Sequence, residues 1–287
     1  MKRIISQYID PKSKRQLKAK YQKIKKTMVD TLLNYDGIDL QNKLKQLGVR
    51  PEDSLWVHAN FKSDSGFKGK PKDAVQALMD YFGPQGNLLM VSIPFRGTAY
   101  DHLKKNKPFR VNKTISMMGL ITEMFRRAPG VLRSFHPTHP VLAYGKDSTQ
   151  IVADHEKSLY PCGPDTPFGK FREMGGKILF YDVGFGAITF FHYVEHLLKD
   201  RLPFPVYHKD PFTVTAYDKD DQEHQITTYV FDRRYVRNAG KLEAEMERRK
   251  KLVRAKVGNS SLILVKAEDV VSCQTDMVEN GNLPYDV

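Results

Sequence analysis

Apolar residues recur at three- and four-residue spacing near the start of the chain, at Leu17, Tyr21, Ile24 and Met28. This spacing predicts an amphipathic helical arm that runs to about residue 48. Beyond it, short apolar runs rich in β-branched and aromatic residues alternate with stretches of helical period. Residues 54–59 read as a strand, 71–82 as a helix, 83–86 as a turn and 87–93 as a second strand, which makes a β-α-β unit. A helix near 116–127, a strand at 141–144 and a helix near 148–154 follow, and then an irregular Pro/Gly-rich loop runs through Gly169. The run 177–183 has the length of a buried strand, and Gly184 and Gly186 are expected to break it before an apolar helical segment through Leu198. Residues 212–217 and 225–231 read as an antiparallel pair, 233–256 as an exposed charged helix and 261–265 as a last strand. Alternation first and a hairpin later predict the α/β class, with a central mixed β-sheet flanked by helices in a single domain over 37–287 and a basic helical arm over 1–36.

Composition adds a core large enough for one such domain, since 40% of the 287 residues are hydrophobic. No run approaches the 18 uninterrupted apolar residues of a membrane span, and the first ten residues lack a signal-peptide core. A cytoplasmic protein is therefore expected. Cys162 and Cys273 are the two cysteines, too few and too far apart for a disulfide framework or a cysteine-based zinc site. Much of the net charge of +13 lies in residues 1–30, which hold ten basic residues against two acidic ones. Such an arm suits packing on the body or on a second subunit of a homodimer, with a solvated basic face. Nucleic-acid binding through it is an alternative reading, although a nucleic-acid partner is not what the rest of the chain favours.

Candidate chemistry concentrates after the 177–183 run. There Thr189, His192 and Glu195 recur at intervals of three on an otherwise apolar segment, so one helical face would carry an imidazole and a carboxylate. A histidine held by a glutamate has the makings of a general base; a buried histidine satisfied by its neighbour has the same spacing. The loop from Asn60 to Lys70 follows a strand and precedes a helix, and its Gly, Ser and Lys residues suit a phosphate. In the segment Arg133-Ser134-Phe135-His136-Pro137-Thr138-His139-Pro140, two prolines brace two histidines and an arginine. His136 with His139, or His192 with His196, could each offer two nitrogens, but no third ligand clusters with them and no metal is expected. Cys162 could accept an acyl group transiently or be a passive loop residue.

Taken in order, these segments resemble the aminoglycoside 3-N-acetyltransferase family. Leu55-Trp56-Val57-His58-Ala59-Asn60 is similar to its Leu-x-Val-His-Ser-Ser strand, and residues 83–90 to its Gly-Pro-x-Gly-Thr-Leu-x-Met segment. Arg133-Ser134-Phe135-His136-Pro137 matches its Arg-Ser-x-His-Pro signature, while Thr189, His192 and Glu195 match Thr-x-x-His-x-x-Glu. The likeness spans about residues 38–275. It implies an acetyl-CoA-dependent N-acetyltransferase acting on a primary amine of an aminoglycoside or amino sugar. His192 would be the general base, Glu195 its partner, Asp232 an additional acidic partner and Thr189 a donor to the oxyanion. CoA would be bound by His58, Asn60, Ser63, Gly66, Lys68, Gly69, Lys70, Arg133, His136 and Pro137, and the substrate by Asp101 and His155. A catalytically silent CoA-binding protein is the alternative. Where a polycationic antibiotic calls for acidity, the loop 92–97 offers Arg96 first and Asp101 only later, so a less cationic amine is expected.

Overall fold

The computed structural model describes residues 10–286. Its centre is a seven-stranded mixed sheet in the order Leu252–Val257, Ser260–Lys266, Lys177–Tyr181, Ser54–Ala59, Asn87–Val91, Val141–Gly145, Leu132–Arg133. The three inner strands Lys177–Tyr181, Ser54–Ala59 and Asn87–Val91 are parallel. The outer pairs are antiparallel, as the predicted mixed sheet requires. Alternate strand residues point to opposite faces, so Trp56, Leu89, Ile178 and Phe180 join one apolar core while Leu55, Leu88, Leu179 and Tyr181 join the other. A core on each face explains why these strands read as nearly continuous hydrophobic runs. The first core also takes in Phe190, Phe191 and Val194, which fixes the segment that carries His192. A separate three-stranded sheet contains the predicted hairpin, Phe212–Tyr217 with Glu223–Thr228.

The structure departs from the sequence reading at several points, each with a local cause. The arm is two helices, Pro11–Leu32 and Gly37–Gln46, because Asp36 accepts from the backbone of Ile38 and Asp39 and starts the second one afresh. Residues 1–9 of the arm lie outside the described residues. Residues 233–256 are not one helix: Ala239–Arg248 is helical, and Leu252–Val257 is the edge strand of the main sheet. The helix Pro167–Glu173 starts inside the stretch taken as loop, with Thr166 capping Phe168. Neither Gly184 nor Gly186 makes the bend after the 177–181 strand. Asp182 does, in the left-handed region at φ 57°, with its carboxylate accepting from the Ser261 amide and the Ser260 hydroxyl.

The first helix packs on the body only near its end, where Val29 is buried. Its stripe of Leu17, Tyr21, Ile24 and Met28 faces outward, half or more exposed, so the expected packing on the body is not made along most of its length. Further out, Lys25 reaches Asp64 at 2.7 Å in a solvent-facing ion pair, a screened contact that adds little to stability. Deleting the chain through residue 28 is therefore expected to move the melting temperature of the remainder by less than about 3 °C. A thermal melt of the truncated protein checks this, and a larger drop contradicts it. No helix among the described residues is long and apolar enough to cross a membrane.

Candidate active site

A cleft of about 440 Å³ is walled by segments that follow the 87–91 and 177–181 strands, and Thr189, His192, His139, Phe231, Arg96, Arg233 and Arg237 line it. After Asp182 turns the chain, a short 3-10 turn over Phe185–Ala187 leads to the helix Phe191–Leu197. Phe190, Phe191 and Val194 drive one side of this segment into the core and leave His192 facing the cleft. Thr189 lies just ahead of the helix rather than on it. The residue lines the cleft, and its hydroxyl is buried with no hydrogen-bond partner.

His192 and Glu195 are in contact, Nδ1 to Oε2 at 2.7 Å. Glu195 is 2% exposed and three groups converge on it, because Arg237 donates to Oε2 at 2.6 Å and the Tyr285 hydroxyl donates to Oε1 at 2.9 Å. Burial alone would raise the Glu195 carboxyl, but Arg237 and the His192 hydrogen bond outweigh it and hold the group below the ordinary glutamate value. An ionised Glu195 accepts Nδ1–H, so the neutral His192 ring carries its lone pair on Nε2. The ring is stacked on Phe231 with centroids 4.5 Å apart, and His139 meets it edge-on at 5.7 Å. Burial lowers the His192 pKa, Arg237 adds to the shift and Glu195 opposes it, with a net depression below 6.5. The imidazole is thus neutral, oriented and basic at neutral pH.

Asp232 does not join this pair. Its buried carboxylate is taken by Arg234, with Nε to Oδ2 at 2.8 Å and Nη2 to Oδ2 at 2.5 Å. The acidic second partner of the sequence reading is replaced by Arg237 and Tyr285. Sequence gave no sign of them, since Arg237 lies 42 residues and Tyr285 90 residues from Glu195.

The residues assigned to CoA and substrate fall largely elsewhere. Arg133 ties the fold together, donating to the carbonyls of Val111, Thr114 and Ser92 and lying over the Phe109 ring. Burial brings its guanidinium down to about 9. His136 is fully buried; its Nδ1 accepts from the Thr138 and His139 amides, and its Nε2 meets Thr228. Pro137 is buried beside it. His155 is also fully buried between the Ser134 hydroxyl and the Pro161 carbonyl, which removes it from substrate contact. His58 is stacked on Phe180 inside the sheet with Nε2 unpartnered. None of these five lines the cleft; the proline-braced segment is an internal scaffold.

In the 60–70 loop, Gly66 and Lys68 pair with the backbone of Tyr35, and the Lys70 amide is held by Asp73. Gly66 sits at φ 84°, where a Cβ would come within 2.3 Å of the Leu33 carbonyl oxygen, so its role is close packing. Asn60, Ser63, Lys68, Gly69 and Lys70 are exposed but do not line the cleft. The loop contributes differently, through Lys62, which lines a second groove of about 550 Å³ with Arg254, Lys256 and Gly186. Gly186 belongs to both grooves, so they meet beside His192. Asp101 is on the helix Ala99–Leu103, accepts from the Thr98 hydroxyl at 2.6 Å and stays outside the cleft lining.

Cys162 is buried, and burial pushes its thiol well above the usual value, which removes it as an acyl acceptor. Among the described residues no three His, Cys, Asp or Glu side chains are grouped to hold a metal ion.

Comparison with known proteins agrees with the geometry. The chain is 27% identical over 274 residues to aminoglycoside N(3)-acetyltransferase III of Pseudomonas aeruginosa, covering 88% of this chain and 97% of that one. Among solved structures, aminoglycoside acetyltransferase AAC(3)-Xa superposes with a TM-score of 0.77 at 20% identity, covering 91% of this chain and 99% of the other. AAC-IIIb, solved as a binary complex with CoASH, gives 0.73 at 22% identity over 86% and 97% of the two chains. At these identities the superpositions establish the fold. The family model for aminoglycoside 3-N-acetyltransferases matches residues 56–279, and the chain belongs to that family of N-acetyltransferases.

Proposed function

We propose that the protein transfers the acetyl group of acetyl-CoA to a primary amine of an aminoglycoside or amino sugar, with His192 as general base. The observation that carries this reading is the neutral His192 ring at the wall of the cleft, fixed by an ionised Glu195 that Arg237 and Tyr285 hold in turn. The amine attacks the thioester carbonyl carbon with its lone pair, and as the N–C bond forms one of its protons passes to His192 Nε2. The carbonyl π pair moves onto oxygen, where the unpartnered Thr189 hydroxyl donates to it. Collapse re-forms the carbonyl and breaks the C–S bond, and the thiolate leaves with the proton that His192 carried. Glu195 stabilises the imidazolium between these two transfers.

The pantetheine and phosphates of the donor fit the second groove, whose Lys62 and Lys256 suit phosphate and which meets the cleft at Gly186. A thiol-release assay with acetyl-CoA and a set of amines tests the reading: release that depends on the amine, with acetylated product by mass, is expected. CoA binding without release in the presence of any amine would instead identify a silent relative. Thr189→Val should lower kcat by about 10²-fold with little change in KM, because the donor acts on charge that develops only in the transition state. An unchanged kcat moves the oxyanion contact to a backbone amide.

A further inference from the structure

The cleft beside His192 is positively charged to a degree that the proposed reaction does not require. Three arginines line it, Arg96, Arg233 and Arg237, and no aspartate or glutamate does. Arg237 is neutralised by Glu195. The other two have no ion-pair or hydrogen-bond partner among the described residues, and the adjacent Asp232 is paired with Arg234. Both guanidiniums are exposed at the cleft, so they are available to a ligand. The histidines of the lining add no compensating negative group.

From this we infer that the acceptor is an amine bearing an oxyanion, of the phosphorylated amino-sugar class, whose anionic group is held by Arg96 and Arg233 while its amine meets His192. The inference rests on the acetyl-transfer reading and names its substrate class. Guanidinium pairs recognise phosphate oxygens by bidentate hydrogen bonds, and a polycationic amine entering the same space would meet two like charges that have no ion-pair partner of their own. The donor's own phosphates do not explain the arginines. Extended pantetheine separates the thioester from the pyrophosphate by about 15 Å, and the second groove, which shares Gly186 with the cleft, offers Lys62 and Lys256 along that path. With the thioester at His192, those phosphates fall outside the cleft, toward Lys62 and Lys256.

The test compares glucosamine 6-phosphate and glucosamine 1-phosphate with glucosamine and kanamycin, using the full-length enzyme. Equilibrium binding is measured by calorimetry and turnover by CoA release. At least one sugar phosphate is expected to bind at least about ten-fold more tightly than glucosamine, with kanamycin weakest. In the Arg96→Gln/Arg233→Gln protein that preference should collapse toward unity, the change appearing in the acceptor KM rather than in that of acetyl-CoA. Equal binding of phosphorylated and plain sugar, tighter binding of kanamycin, or a loss confined to the acetyl-CoA KM overturns the inference. Binding reads the arginines and turnover reads His192, so failure of the substrate class and failure of the acetyl-transfer reading give different results.

Discussion

Replacing His192 by alanine is expected to lower kcat for acetyl transfer by about 10²–10⁴-fold while acetyl-CoA affinity stays within about three-fold. The size follows from the role. A positioned base removes a proton as the N–C bond forms, and His139, the other imidazole of the cleft, lacks what this needs: its Nδ1 meets the Thr138 hydroxyl rather than a carboxylate, so nothing there would stabilise the imidazolium. Affinity for the donor should survive because the second groove, with Lys62 and Lys256, does not include His192. Glu195 is the less clean target: it is buried with three partners, and removing its carboxylate leaves the Arg237 charge uncompensated. A thiol-release assay paired with calorimetric binding of acetyl-CoA reads both parts of the prediction, and an unmoved kcat removes His192 from the mechanism.

The second large effect is on stability, and it is a loss in acid. His58 and His155 are buried and brought down to about 3, chiefly by burial, and His136 and His139 are lowered well below 6.5 by the same cause. Their folded pKa values are depressed, so the unfolded chain binds protons that the native fold cannot accept once the pH drops under the unfolded value near 6.5. The stabilising difference is fully present above pH 6.5 and is lost as the pH falls from there toward 3. Each such group removes about 1.4 kcal/mol per pH unit within that window. At pH 5, His58 and His155 together account for roughly 4 kcal/mol, a large part of the 5–15 kcal/mol that a domain usually has. Urea midpoints measured at about pH 7.5, 6 and 5 should therefore fall steeply. His58→Phe keeps the stacking on Phe180 and deletes an unpartnered nitrogen, so it should flatten the slope. A midpoint that is level down to pH 5 contradicts the assignment of these rings as buried and neutral.

Much of the fold was legible because its inner strands carry an unambiguous signal. Residues 54–59, 87–91 and 177–181 are buried on both faces, so their apolar runs are nearly unbroken and the β-α-β order could be read directly. Edge elements were not. The strand Leu252–Val257 has one exposed side rich in Lys and Arg, so its charges resemble those of a solvated helix. The His192–Glu195 pair was legible because both residues lie on one short helix, where spacing is geometry. Arg237 and Tyr285 come from a later segment brought in by the two-stranded pair Val236–Arg237 with Tyr285–Asp286, and local spacing cannot report such a contact. The Arg133 to Pro137 segment misled for a physical reason. Proline bracing and polar side chains suit a ligand loop and an internal scaffold equally, and only burial distinguishes the two.

The most direct test of His192 as the base is the pH dependence of kcat at saturating substrates over about pH 6.5 to 9, for the natural protein and for His192→Ala side by side. Because the His192 pKa is depressed below 6.5, its ring is largely neutral from about pH 7.5 upward, and there the natural enzyme should give a profile shallower than the variant's. The alanine variant has to wait for solvent to take the proton, so its residual rate should climb about ten-fold per pH unit. Two parallel curves would contradict the account and place the base on another group.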